Sequence, residues 1–137
     1  MPPAPLPADL VAWIGAARPC VLATVRADGQ PVSVPCWYDY EPEDGHVILS
    51  MGRDARRVEH IAQNPMVALT VLGDDWYTHV SLLGHVTEVR EDTDLVDLDR
   101  LSMRYLGIPY FEREPFLTAV VEIDSWHTFG SPGSPAP

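Results

Sequence analysis

Along this chain the spacing of apolar residues changes character repeatedly, and each change predicts a different element. In "PADLVAWIGA", Leu10, Val11, Trp13 and Ile14 fall at helical spacing, with Asp9 placed to cap or load the first turn. The pattern then becomes strand-like: Val21, Leu22, Thr24 and Val25 lead into the turn signal "ADGQP". Val32, Val34, Trp37 and Tyr38 predict a second strand, and "EPEDG" turns the chain into a third, His46 to Met51. "DARRVEHIAQNP" breaks this meander. Val58, Ile61 and Ala62 share one helical face, Asp54 stands at the expected N-cap, and Asn64-Pro65 ends the helix. "MVALTVLG" and "DWYTHVSLLGHVTEVR" are again strands, the second long enough to bend at Gly84. "DTDLVDLDRLSMRYLG" sets Leu95, Leu98, Leu101 and Met103 or Tyr105 near helical spacing. Its acidic first turn and late arginines suit the helix dipole. "PFLTAVVEIDSWHTFG" is a final strand.

Hairpins outnumber helices, so a parallel βαβ sheet is not expected. Six antiparallel strands with three short helices predict a small mainly-β barrel. The domain is expected over residues 7–130. A Pro-rich tail at 1–6 is expected to be disordered, and "SPGSPAP" at 131–137 forms a second loose tail.

Composition narrows the function classes. The 137 residues suffice for one hydrophobic core. Nine basic residues, all arginine, face 20 acidic ones, for a net charge of -11. Duplex nucleic acid and anionic membranes are repelled by such a surface. Neither a membrane span nor a signal peptide is expected, so the cytoplasm is the expected location. Cys20 and Cys36 are in no metal-binding spacing and read as two buried thiols.

Against that acidic background stands "SMGRDARRVEHIAQNP". Arg53, Arg56 and Arg57 crowd the start of a predicted helix just after a strand, three arginines against Asp54, a local charge of +2. Arginines there oppose the helix dipole. A phosphate docked at that point would be held by open main-chain amides, the Ser50 hydroxyl and guanidinium forks together. A solvated arginine face balanced by Glu59 is the other reading, and composition does not choose between them.

The succession "VLATVRADGQPVSVPCWYDYE", "GHVILSMGRDARRVEHIAQNPMVALTVLGDD" and "YTHVSLLGHVTEV" resembles the flavin-reductase-like split β-barrel proteins. These are relatives of pyridoxamine 5'-phosphate oxidase and of the B-type deazaflavin-dependent oxidoreductases. The likeness runs from about Pro7 to Gly130. The resemblance implies a six-stranded split β-barrel and a homodimer with cofactor sites at the subunit interface. It assigns Ser50, Arg56 and Arg57 to the cofactor phosphate, with Arg53 nearby. Val32, Ser33, Val34 and Pro35 would line the ring, and Met51 and Gly52 would pass under the ribityl chain. Trp76, Tyr77 and His79 would come from the second subunit. One departure is Arg57, where many relatives place lysine; arginine keeps the charge but adds a fork.

The implied chemistry is hydride transfer between coenzyme F-420 and an electron-poor small molecule, with the protein supplying binding and orientation. FMN is the alternative cofactor, because the six arginines outside the cluster are scattered whereas F-420 carries an acidic tail. A flavin- or haem-binding storage protein without turnover is the third reading. Tyr38, His79 and His85 are the candidates for a proton donor. The two histidines share a strand face with no third ligand beside them, so no metal site is expected.

Overall fold

The computed structural model describes residues 1–130 and Pro132. The expected C-terminal tail therefore lies, apart from Pro132, outside the described residues. Seven strands form one antiparallel sheet: β1 Cys20–Val25, β2 Pro31–Cys36, β3 Asp39–Glu41, β4 His46–Gly52, β5 Met66–Leu72, β6 His79–Glu91 and β7 Phe116–Phe129. Three helices accompany it, α1 Ala8–Ile14, α2 Arg56–Gln63 and α3 Val96–Leu106, with a 3-10 turn at Thr93–Leu95 before α3. The mainly antiparallel class with three helices agrees with the sequence reading, but the strand count is seven and not six. The additional strand, β3, has three residues, too few to show an alternation of their own. Only its pairing with β4 (Asp39 opposite Ile48, Glu41 opposite His46) defines it.

The strand order is β2-β1-β5-β6-β7-β4-β3. It begins and ends on different strands, so the hydrogen-bonded sheet is open and not a closed barrel. The two longest strands, β6 and β7, pair from His79 opposite Phe129 to Glu91 opposite Leu117. β5 occupies the other edge of β6 from His79 to His85, and β4 the other edge of β7 from Phe116 to Glu122. His85 and Glu122 face each other, so the ribbon changes neighbours at that pair. Register shifts at Leu83/Gly84 and Val86/Glu88 lie on either side of it. Bulges increase local twist, which lets one ribbon serve both halves of the sheet.

The core lies between the halves. Leu22, Leu69, Val71, Val80 and Leu82 come from one side, Val47, Leu49, Met51, Ala119 and Val121 from the other. Leu10 and Ile14 of α1 and Ile61 of α2 close it. On α3 the alternatives Met103 and Tyr105 are resolved: Met103 is exposed, while Tyr105 packs against the core with Leu98 and Leu101 buried above it. The N-terminal segment, expected to be disordered from its prolines, lies extended against β7. Ala4 donates to the Asp124 carbonyl at 3.0 Å, Trp126 donates to the Pro2 carbonyl at 3.0 Å, and Leu6 is buried.

Candidate functional site

The strand-to-helix junction from β4 to α2 gathers most of the polar chemistry. Ser50 is the fifth residue of β4, opposite Thr118 of β7. The chain then turns, with the Ala55 amide donating to the Gly52 carbonyl at 3.0 Å, and α2 begins at Arg56. Its N-cap is Ala55, not Asp54, and no side chain caps it. Asp54 lies one residue too early for its carboxylate to reach the first-turn amides. The opening amides of α2 are consequently left without side-chain acceptors.

Arg57 folds back toward the strand, and its Nη2 donates to the Ser50 carbonyl at 3.3 Å. Its Nε and the Ser50 hydroxyl are both buried without a hydrogen-bond partner. An unsatisfied buried polar group costs about 1–3 kcal/mol, so two from neighbouring residues call for a shared explanation. The other two arginines of the cluster differ. Arg53 forms an ion pair with Glu91. Arg56 is exposed and makes no ion pair among the described residues. Elsewhere, Arg26, Arg90, Arg100, Arg104 and Arg113 all engage carboxylates, and Arg18 lies 3.9 Å over the Trp13 ring. Among the described residues, Arg56 and Arg57 are thus neighbouring cations without a carboxylate partner.

Two clefts meet at Arg57. The first, about 900 Å³, is largely apolar; Pro35, Cys36, Ser50 and Arg57 form one wall. Trp37, Tyr105, Tyr110, Phe111 and Phe116 form another. Trp37 stacks on Tyr105 with centroids 5.4 Å apart and planes 9° from parallel, and Tyr110 meets Trp37 edge-on. The Tyr105 hydroxyl donates to the Arg18 carbonyl at 2.7 Å, and burial pushes its pKa up to about 12. The second cleft, about 890 Å³, is polar and is bounded by Arg26, Arg56, Arg57, His60, Val32 and Val34, with Asp54 and Glu59 at its edge. His60 is held there by a 2.9 Å hydrogen bond between its Nδ1 and the Thr24 hydroxyl.

The structure brings some of the expected residues together and separates others. Pro35, Ser50 and Arg57 line the apolar cleft; Val32, Val34, Arg56 and Arg57 line the polar one. Ser33 is exposed and lines neither, and Arg53 is turned to Glu91. Met51 is fully buried in the core, and neither it nor Gly52 lines either cleft. Trp76 and Tyr77 are exposed on the β5–β6 turn and stack on each other with centroids 4.1 Å apart.

None of the three expected proton donors lines either cleft. Tyr38 is fully buried, its hydroxyl donates to the Ile14 carbonyl at 2.7 Å, and burial raises its pKa. His79 stacks on Phe129, and its Nδ1 lies 3.1 Å from the Tyr77 carbonyl. His85 bonds Asp124 at 2.9 Å, far along β6. Among the described residues no group of three His, Cys, Asp or Glu side chains is placed to hold a metal. The aromatic wall is what sequence reasoning missed. In the sequence Trp37 stood out only as part of a strand and Tyr105 only as part of a helix, because residues from the β2–β3 junction, α3, the segment after it and β7 meet only in the fold.

The sequence matches the family model described as pyridoxamine 5'-phosphate oxidase over residues 6–127. A search of the curated proteins finds no match. Among solved structures, an F420 reductase aligns with a TM-score of 0.79 at 22% identity, covering 89% of this chain and 98% of that one. General Stress Protein 26 from Bacillus anthracis aligns with a TM-score of 0.67 at 22% identity, covering 88% and 91%. HupZ from Group A Streptococcus aligns with a TM-score of 0.67 at 15% identity, covering 90% and 94%. At these identities the likenesses show the fold.

Proposed function

The chain belongs to the pyridoxamine 5'-phosphate oxidase family, and from that premise we propose that it is an oxidoreductase using a phosphate-bearing flavin-type cofactor, coenzyme F-420 in the first instance. The observation that carries the reading is the pair of buried, unpartnered groups, Ser50 Oγ and Arg57 Nε, beside Arg56 at the uncapped start of α2. A phosphate oxygen is the acceptor both lack, and the helix amides add donors of the same polarity. Once bound, the cofactor supplies hydride transfer to or from an electron-poor small molecule.

This chain's residues then have distinct tasks. Arg57 and Ser50 fix the phosphate, and Arg56 contributes charge from the rim. Pro35 and Cys36 of β2 wall one side of the apolar cleft, and Trp37, Tyr105, Tyr110 and Phe111 exclude water on the other. With Tyr38 in the core and the Tyr105 hydroxyl committed to Arg18, Tyr110 is the cleft-lining tyrosine whose hydroxyl makes no hydrogen bond among the described residues. If a product needs a proton, Tyr110 is the side chain in position to give it.

Two observations bear on cofactor choice. The polar cleft continues from Arg57 past Arg56 toward Arg26, which supports a longer anionic tail and thus F-420. Asp54 and Glu59 on the same cleft repel such a tail, which favours the shorter FMN. Fluorescence titration of the purified protein with FMN and with F-420 ranks them. Arg57→Ala should weaken whichever binds by about 10- to 100-fold, the worth of a hydrogen bond to a charged group. Unchanged affinity in both Arg57→Ala and Arg56→Ala would remove the phosphate site from these residues.

The exposed Trp76–Tyr77 stack, with Phe129 also exposed, supports a homodimer in which that turn borders the partner's site. Sedimentation velocity should give twice the chain mass, and Trp76→Ala should lower cofactor affinity without shifting the melting temperature.

A further inference from the structure

We propose that Cys20 and Cys36 form a peroxide-sensitive dithiol that closes reversibly into a disulfide on the wall of the apolar cleft. The two cysteines come from different strands and are direct partners in the β1–β2 register. Residues opposite each other in an antiparallel pair stand on the same face, with Cα atoms about 4.5–5.5 Å apart. Disulfides span Cα separations of about 4.4–6.8 Å, so closure asks for side-chain rotation and not strand movement. Both thiols are free in the structure, and both line the cleft.

Their surroundings divide the labour. Cys36 is half-buried and open to the cleft, while Cys20 is only 2% exposed. A hydrogen bond from the Cys20 thiol holds the Cys36 pKa down, assisted by the Arg57 guanidinium, against the opposing effect of burial. The same hydrogen bond, with burial, pushes Cys20 up. Cys36, the more exposed of the two, is therefore the sulfur that meets an oxidant first, and Cys20 the one that resolves the product.

The oxidant is hydrogen peroxide. The Cys36 thiolate attacks one peroxide oxygen, the O–O bond breaks, and the departing hydroxide takes a proton to leave as water. Cys36 is then a sulfenic acid. Cys20 sulfur attacks Cys36 sulfur, an S–S bond forms, the S–O bond breaks, and the Cys20 proton leaves with the hydroxyl as a second water. Two thiols are oxidised and one peroxide is reduced to two waters. The inference does not depend on which cofactor the cleft takes, or on whether it takes one.

Hydrogen peroxide added to the purified full-length chain should reduce the thiol titre from two per chain to none. The intact mass should fall by two hydrogens, and a peptide map should show Cys20 joined to Cys36. Dithiothreitol should restore both thiols. In Cys20→Ser the reaction should stop at a sulfenic acid on Cys36 that dimedone traps. The proposal fails if both thiols survive peroxide that oxidises free glutathione. It fails equally if the disulfide joins two chains, or if Cys36 passes to sulfinic acid in the unaltered protein. Should Cys20→Ser not fold, the peptide map of the unaltered protein decides alone.

Discussion

Arg104 shows how much one side chain can organise here. Projecting from α3, it donates to the carbonyls of Gly15 at 2.6 Å, Ala16 at 2.8 Å, Tyr38 at 2.9 Å and Ile14 at 3.2 Å. The guanidinium also sits 5.1 Å over the Tyr38 ring. A cation at the carbonyl end of α1 offsets the helix dipole while satisfying groups that the helix cannot bond itself. Arg104→Ala should lower unfolding free energy by about 3 kcal/mol, from the charged hydrogen bonds lost, two of them to the part-buried carbonyls of Tyr38 and Ile14. Urea denaturation checks it, and Arg104→Lys should recover only part because a point charge cannot serve the same fork. At His85 the effect is on pH. The hydrogen bond to Asp124, with Glu122 nearby, raises the imidazole above its ordinary 6.5. A raised folded-state value means stabilisation that is complete below the ordinary imidazole range and lost as pH climbs through the folded-state value. His85→Gln should therefore be less stable than the parent on the acid side and level with it on the alkaline side, as thermal melts across that range will show.

Among the elements, the β6–β7 ribbon depends on a close approach. A Cβ placed at Gly84 would overlap the Glu122 carbonyl and press on the Val121 side chain at 3.0 Å. The contact is with main chain of the paired strand, so a side chain there forces the bulge open. Gly84→Ala should cost about 2–3 kcal/mol, in the range of overpacked sites, read as a fall in melting temperature. Helix α3 is started by Asp92, which lies before the 3-10 turn and is buried. Its Oδ1 and Oδ2 accept from the amides of Asp97 at 3.0 Å and Leu98 at 2.9 Å. Between them Asp94 and Leu95 hold left-handed φ values of 58° and 57°, an arrangement that Leu95 anchors by burying its side chain. Asp92→Ala should destabilise by about 1–2 kcal/mol, as loss of an N-terminal cap does.

At the scale of the molecule, a net charge of -11 surrounds the Arg56–Arg57 pair. The far field repels a phosphate while the near field holds it. Added salt should therefore speed FMN association by screening the repulsion, and speed dissociation by weakening the arginine contacts. Stopped-flow fluorescence across an ionic-strength series separates the two rates. An association rate that falls with salt would mean the arginine pair dominates at long range as well. No helix of the described residues is long and apolar enough to cross a membrane.

What the sequence determined by itself was local. Period-two alternation marked the longer strands, and the helical spacing of Val58 and Ile61 marked α2, because burial of one face leaves its period in the chain. The guanidinium cluster was legible because three arginines in five residues stand out from an acidic composition. β3 was hidden, since three residues cannot display a period. So was the N-cap at Ala55, because a shift of one residue is below what capping preferences resolve. Tertiary structure alone decided which arginine was engaged: Glu91, some 38 residues after Arg53, neutralises it, while Arg57 is turned back onto Ser50. It alone assembled the aromatic cleft and set Cys20 against Cys36. Side chains from separate strands and helices become neighbours through long-range hydrogen-bond register, and a one-dimensional pattern of polarity carries no record of that register.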